Sequence, residues 1–173
     1  MTIRKAEARD ISAISWIYEE IHTEEETGNA VIGWIRGVYP TEATALQSLQ
    51  RGDLFVAEAD GKVVGAAIIN QRQVDVYAQG SWEYTAPDEA VMVLHTLVIS
   101  PSKAKLGYGK AFVQYYAEYA RSHSCRFLRM DTNARNLRAR GMYQRLGYHE
   151  AGIVPCVFNG IENVQLVLLE KKL

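Results

Sequence analysis

Val91-Met92-Val93-Leu94-His95-Thr96-Leu97-Val98-Ile99 runs, past Ser100-Pro101, into Leu106-Gly107-Tyr108-Gly109-Lys110 and then Phe112, Tyr115, Tyr116 and Tyr119. The first nine residues are rich in the β-branched and aliphatic side chains that suit a strand buried on both faces. Ser100 and Pro101 end it. Beyond the glycines the aromatic residues fall at i, i+3, i+4 and i+7, which gathers them into one stripe of a helix beginning near Gly109. The first N–H groups of such a helix lack partners within it, and with the macrodipole they favour a negatively charged group at that end. Glycine lets that group come close to the backbone.

Counting residues excludes the two familiar nucleotide loops. A P-loop needs glycine where Ala104 stands and Ser or Thr where Ala111 stands, and the dinucleotide fingerprint needs a third glycine at Phe112. What remains is a Gly-x-Gly turn between strand and helix, equally at home in a plain structural turn.

Further on, Met130-Asp131-Thr132-Asn133-Ala134-Arg135-Asn136 leads into Ala139, Met142-Tyr143 and Leu146-Gly147-Tyr148. Strand, Gly-x-Gly turn, helix, strand, an Asn seven residues before a Tyr, and a Leu-Gly-aromatic ending together resemble the GNAT superfamily of N-acetyltransferases. The likeness spans Ile3 to about Leu169 and is strongest from Leu94 to Tyr148.

That resemblance implies transfer of an acetyl group from acetyl-CoA, a cosubstrate, to a primary amine by direct attack in a ternary complex. It implies that backbone amides of Lys105, Leu106, Gly107, Tyr108, Gly109 and Lys110 cradle the pyrophosphate. Leu97, Val98 and Ile99 would hold the pantetheine arm through main-chain groups, and Asn136 would touch the cofactor. Asn136 is equally suited to N-cap the helix that carries Tyr143. One departure stands out: the family usually has Arg or Gln where this chain has Ala104, so the flanking Lys103 and Lys105 are left to supply charge.

Tyr143 is the expected catalytic acid, giving a proton to the departing thiolate; a phenol near pKa 10 and a thiol near about 8.5 need their site to bring them together. Its ring could instead pack in the core beside Met142 and Leu146. His95 takes the place on the central strand where some family members carry a Glu base, and near pKa ~6.5 an imidazole accepts protons at neutral pH; a hydrogen-bonded core histidine is the competing reading. Glu83, in the Trp82-Glu83-Tyr84 segment just before the strand, is a second candidate for the base; the alternative is that Trp82 and Glu83 meet the acceptor.

Cys125 and Cys156 read as buried small hydrophobes. With no paired histidine or cysteine motif, no metal is expected. At 173 residues and 48% hydrophobic, the chain is long enough for one domain spanning residues 1–173. The expected class is α/β (α+β): a mixed central sheet of about six to seven strands flanked by helices.

Thr2 to Ala6 reads as a strand, and Asp10 as the cap of a helix whose Ile11, Ile14, Ile17, Tyr18 and Ile21 share a face. Glu24 to Glu26 with Gly28 marks a loop, a second helical region runs through Trp34 and Val38, and a third from Thr41 to about Gln50 ends at Gly52. Leu54–Ala59 and Lys62–Asn70 flank Asp60-Gly61 as a hairpin, as do Ala151–Val157 and Val164–Leu169 around Asn159-Gly160. Gln71 to Asp88 is less regular. Phe127–Thr132 should run parallel to Val91–Ile99, because a helix crosses between them.

A net charge of −1 and a pI near 6.4 argue against a nucleic-acid surface. Arg135, Arg138, Arg140 and Arg145 cluster locally, as a solvated helix face or as partners of the coenzyme's 3′-phosphate. No apolar run is long enough to span a membrane, and no leader is visible, so the expected setting is cytoplasmic. The expected partner is a small-molecule amine or peptide acceptor, with the chain acting as monomer or homodimer. A non-catalytic acetyl-CoA-binding module and a protein N-terminal or lysine acetyltransferase are the alternatives.

Overall fold

The computed structural model describes residues 1–173. Seven strands form one mixed sheet: β1 (Thr2–Lys5), β2 (Leu54–Ala59), β3 (Lys62–Asn70), β4 (Val91–Ile99), β5 (Phe127–Asn133), β6 (His149–Phe158) and β7 (Ile161–Lys172). Their order across the sheet is β1-β2-β3-β4-β5-β7-β6. Only β4 and β5 are parallel, as the helix between them requires. Both hairpin turns have the positive φ pair of a type I′ turn, 52° and 70° at Asp60-Gly61 and 51° and 79° at Asn159-Gly160.

Four helices, α1 (Ile11–Glu26), α2 (Glu42–Arg51), α3 (Tyr108–Ser122) and α4 (Leu137–Arg145), cover the two faces. The period-two alternation of β2 and β3 divides them between the layers. Leu54, Val56, Ala66 and Ile68 pack with Ile14, Ile17 and Tyr18 of α1, while Phe55, Ala57, Ala67 and Ile69 pack with Phe112, Val113 and Tyr116 of α3. At the β5–β7 end, the face shared with α1 is covered by Val76 and Tyr77 of the 71–90 segment, seated on Val91, Val93, Leu166 and Leu168.

Four local expectations are corrected or refined. Asp10 stands at the N-cap of α1 as expected but gives the helix no side-chain hydrogen bond: its carboxylate accepts from Arg4 at 2.7 and 3.0 Å and from the Glu7 N–H at 2.8 Å, in a single 3₁₀ turn that precedes the helix. Glu24, Glu25 and Glu26 are the last turn of α1 rather than a loop, since glutamate favours helix and Gly28 comes only afterwards. The Trp34–Val38 region is not helical; Gly33 and Gly37 stand at φ 84° and 75°, and Ile35 bridges to Tyr39. Finally, β6 and β7 outrun their apolar cores at both ends, because polar residues such as His149 and Glu170 pair in register there.

One irregularity shapes the molecule. β4 and β5 pair over four positions, from Val91 opposite Phe127 to Leu94 opposite Met130, and then part. Beyond that point β4 bends at Thr96, φ 52°, and stays with β3 to Ile99, while β5 stays with β7 to Asn133 opposite Leu166. The gap opens a cleft through the middle of the sheet. In the last paired stretch the buried Tyr116 hydroxyl reaches both the Met92 carbonyl and, at 3.0 Å, the Arg129 carbonyl, holding the two strands together just before they separate. No helix is long and apolar enough to cross a membrane.

Removing that contact should weaken the fold locally. Tyr116→Phe removes the one hydroxyl hydrogen that the two carbonyls share and is expected to lower unfolding free energy by about 1–2 kcal/mol, read from urea titration.

Candidate active site

The cleft has a volume of about 1200 Å³, above the ~300–1000 Å³ usual for one small ligand, so it has room for two substrates. One end is built by the turn into α3. Gly107 is the N-cap at φ 83° with nothing within 4 Å of where a Cβ would stand, so an anion can approach the backbone there. Lys105, Gly107, Tyr108, Gly109 and Lys110 line this end together with Lys103 and Ala104; Leu106 does not, and is 60% exposed. Arg138 and Arg145 join them from α4, whereas Arg140 is held by Glu150 at 2.8 Å through both nitrogens it offers. Open backbone amides at the start of a 15-residue helix, ringed by lysine and arginine, fit a pyrophosphate.

Leu97 and Ile99 line the wall that β4 presents after it leaves β5. Val98 instead buries its side chain against α1. On the side facing the cleft this stretch of β4 has no strand partner, so its main-chain groups are available to an extended ligand. Across from it Asn136 caps α4, its Oδ1 accepting from the Ala139 N–H at 3.1 Å, and it also lines the cleft. The capping reading of Asn136 is therefore observed.

Tyr143, one turn from the end of α4, is 6% exposed and reaches the cleft where β4 and β5 part. Burial and the nearby Asp131 push its phenol well above 10, so it stays protonated across the physiological range.

His95 lines the other end. The Asn70 amide is oriented by Nδ2 donating to Asp53 at 2.9 Å and by Oδ1 accepting from the Arg72 N–H at 2.9 Å. Its Oδ1 also lies 3.1 Å from His95 Nε2, which assigns the ring hydrogen to Nε2 and leaves Nδ1 unprotonated. Arg51 in turn holds Asp53 at 2.9 Å. Burial lowers the His95 pKa to about 4, well below the ~6.5 of a free imidazole.

Two groups at this end were not singled out from sequence. Asp131 of β5 lines the cleft, accepts from the Tyr77 hydroxyl at 2.8 Å, and is pushed by burial to a pKa of about 6. Tyr39, from the turn expected to be helix, hydrogen-bonds Thr96 and feels the Asp131 charge. The signal for Asp131 was a carboxylate interrupting an apolar strand. Tyr39 gave none, since only the fold brings it to β4. The 29–34 segment roofs the cleft, with Glu25 accepting from the Ile32 and Gly33 N–H groups and Gly33 seated on the Asn133 side chain.

Trp82 and Glu83 are not brought to the cleft. Trp82 donates from Nε1 to the Tyr77 carbonyl at 2.7 Å under the Arg129 guanidinium, and Glu83 lies 3.3 Å from His149 Nε2. Their segment lies over the outer part of the β5–β7 face, where its hydrogen bonds go to structure. No group of three or more His, Cys, Asp or Glu side chains is placed to hold a metal.

The comparisons agree with this architecture. Residues 11–148 match the model of the Acetyltransferase (GNAT) family. An uncharacterised N-acetyltransferase of Methanocaldococcus jannaschii is 26% identical over 176 residues, covering 99% of this chain and 92% of the relative. A GNAT-family acetyltransferase structure from Streptococcus agalactiae superposes with a TM-score of 0.84 at 22% identity, covering 99% and 95% of the two chains. The yncA protein of Salmonella typhimurium, solved with its cofactor acetyl-CoA, gives a TM-score of 0.71 at 17% identity over 99% and 93%. An acetyl-transferring fold with an amide-lined turn beside a split sheet is thus the class defined here. The chain belongs to the GNAT family and is an N-acetyltransferase.

The buried carboxylate makes a stability prediction. The folded pKa of Asp131, about 6, lies above its ordinary 3.8, so the folded state holds that proton more tightly, and stability present below about pH 4 is lost as pH climbs through 6. Asp131→Asn removes this penalty, on the order of 3 kcal/mol, and should raise the thermal midpoint by roughly 6–12 °C at pH 7.5, with the gap closing below pH ~4.

Proposed function

We propose that the chain is a single domain that acetylates a primary amine by direct attack on acetyl-CoA bound at the α3 turn. The observation that carries this reading is the placement of the open amides of that turn and the Tyr143 phenol on one cleft, at the point where the sheet divides. Acetyl-CoA supplies the activated acetyl group. The amides of residues 105–110 hold its pyrophosphate, with Lys103, Lys105 and Lys110 adding charge in the absence of the usual side chain at Ala104. The free edge of Leu97 to Ile99 aligns the pantetheine arm, and Asn136 fixes the start of α4 against it.

Tyr143 then delivers its phenolic proton to the leaving sulfur. A buried phenol is a weak acid at rest, but the desolvated site raises the basicity of the thiolate as well, so donor and acceptor move up together. Its neutrality at all working pH values keeps the proton in place until it is needed.

The amine must lose a proton, and two acceptors flank its approach. His95 offers Nδ1 but is a weak base at a pKa of about 4, whereas Asp131 at about 6 is better matched to neutral pH. That difference assigns the larger share to Asp131, with His95 orienting the amine and relaying its proton. Free thiols at Cys125 and Cys156 accord with a cytoplasmic setting.

The test is a thiol-release screen over amines, amino acids, peptides and amino sugars, with calorimetry of coenzyme A binding alongside. Tyr143→Phe should lower kcat about a hundredfold with little change in the KM of acetyl-CoA; parental turnover refutes the acid assignment. The kcat/KM profile of the parent should fall as pH drops through about 6, where Asp131 takes up its proton. That limb should persist in His95→Ala and vanish with most of the activity in Asp131→Asn. A limb near pH 4 lost in His95→Ala would return the base to the histidine.

A further inference from the structure

We infer that the acceptor is a free amino acid with an apolar side chain, recognised at three points by Arg72, Asp131 and the β6–β7 hairpin. This inference rests on the acetyltransferase reading and concerns the end of the cleft away from the α3 turn.

The strand order lays the three points out in a row. Arg72 follows β3, His95 and Thr96 stand on β4, Asp131 on β5, and Leu166 on β7, with Phe158 and Ile161 at the neighbouring hairpin turn; all of them line the cleft. Period two puts Asp131 and Asn133 on one face, and Leu166 is the register partner of Asn133, so the carboxylate and the apolar wall share that face. From the end of β3 to β5 is two strand spacings, at least ~10 Å, which a long arginine side chain and a compact ligand bridge together.

Charge decides what the polar side of this row accepts. Arg51 is already bound to Asp53, and Arg135 lies near Gly33 beneath the roof. Arg72 is an exposed residue on the cleft lining whose side chain makes no hydrogen bond or ion pair, while its backbone N–H is fastened to Asn70. An unpaired guanidinium lining the same cleft as His95 suits a carboxylate, which it can grip with two parallel hydrogen bonds once its long side chain reaches over the ligand. Asp131 is the anionic group for the ammonium. Glu24, at the last turn of α1, also lines the cleft, and it is the one acidic wall that would favour a dication.

The third point is apolar. Val74, Phe158, Ile161, Val164 and Leu166 belong to the cluster that fills the β5–β7 end, and each also faces the cleft. A side chain such as that of leucine buries there, while glycine leaves the wall uncovered. An α-amino acid supplies ammonium, carboxylate and apolar body from a single carbon. A polyamine supplies neither the anion nor the apolar branch.

The experiment compares L-leucine, L-leucinamide, glycine and cadaverine as acceptors for the intact chain, by steady-state thiol release with acetyl-CoA. It adds calorimetry of leucine and leucinamide on protein saturated with coenzyme A. Leucine should exceed leucinamide, glycine and cadaverine in kcat/KM by tenfold or more each, and bind the coenzyme-loaded protein tighter than leucinamide. In Arg72→Gln the preference for leucine over leucinamide should collapse to about twofold, and the KM of acetyl-CoA should hold steady. Equal use of leucinamide, a preference for cadaverine, or an undiminished carboxylate preference in Arg72→Gln overturns the inference while leaving the enzyme standing. If thiol is released with no amine, the enzyme reading fails instead; the calorimetric preference and its loss in Arg72→Gln then decide whether the pocket is as described.

Discussion

The parting of β4 from β5 is the constraint on which the rest of the molecule depends. Two parallel strands that pair over only four positions leave unpartnered backbone in the middle of a sheet, a costly place for it. Here the exposed edge of β4 is turned into a wall of the cleft, where an extended ligand can satisfy it. The bend at Thr96, a β-branched residue at φ 52°, keeps the strands apart, and the hydrogen bond between Tyr39 and Thr96 holds that conformation.

Around this opening the chain places groups whose charge states are set by burial rather than by their ordinary chemistry. Tyr143 is kept neutral, His95 is kept neutral by desolvation, and Asp131 is held close to half-ionised near pH 6. The Arg51–Asp53–Asn70–His95 series ties the last turn of α2 to the imidazole, so the ring's tautomer is decided by a network that reaches back to a helix on the other side of β3. The fold thus tolerates a destabilised carboxylate on the wall of the cleft.

Most of the scaffold was legible in the chain because it is locally encoded. Asp60-Gly61 and Asn159-Gly160 announce their turns, the stripe from Phe112 to Tyr119 announces α3, and the Gly-x-Gly spacing announces the turn that opens it. The failures have physical causes. Trp34 to Val38 has the apolar spacing of a helix, but glycines on positive φ interrupt it. Trp82 and Glu83 are near β4 in sequence, yet their side chains are spent on Tyr77 and His149. This end of the cleft combines Tyr39, Asn70 with Arg72, His95 and Asp131 from four separate segments, and no window of the sequence contains that arrangement.

Tyr116 has a consequence for how ligands are received. By clasping carbonyls of both central strands from within the core, it sets the angle of the opening before any substrate arrives. The entropy of shaping the site is thus spent during folding, so little of a ligand's binding energy is diverted to reorganising the protein.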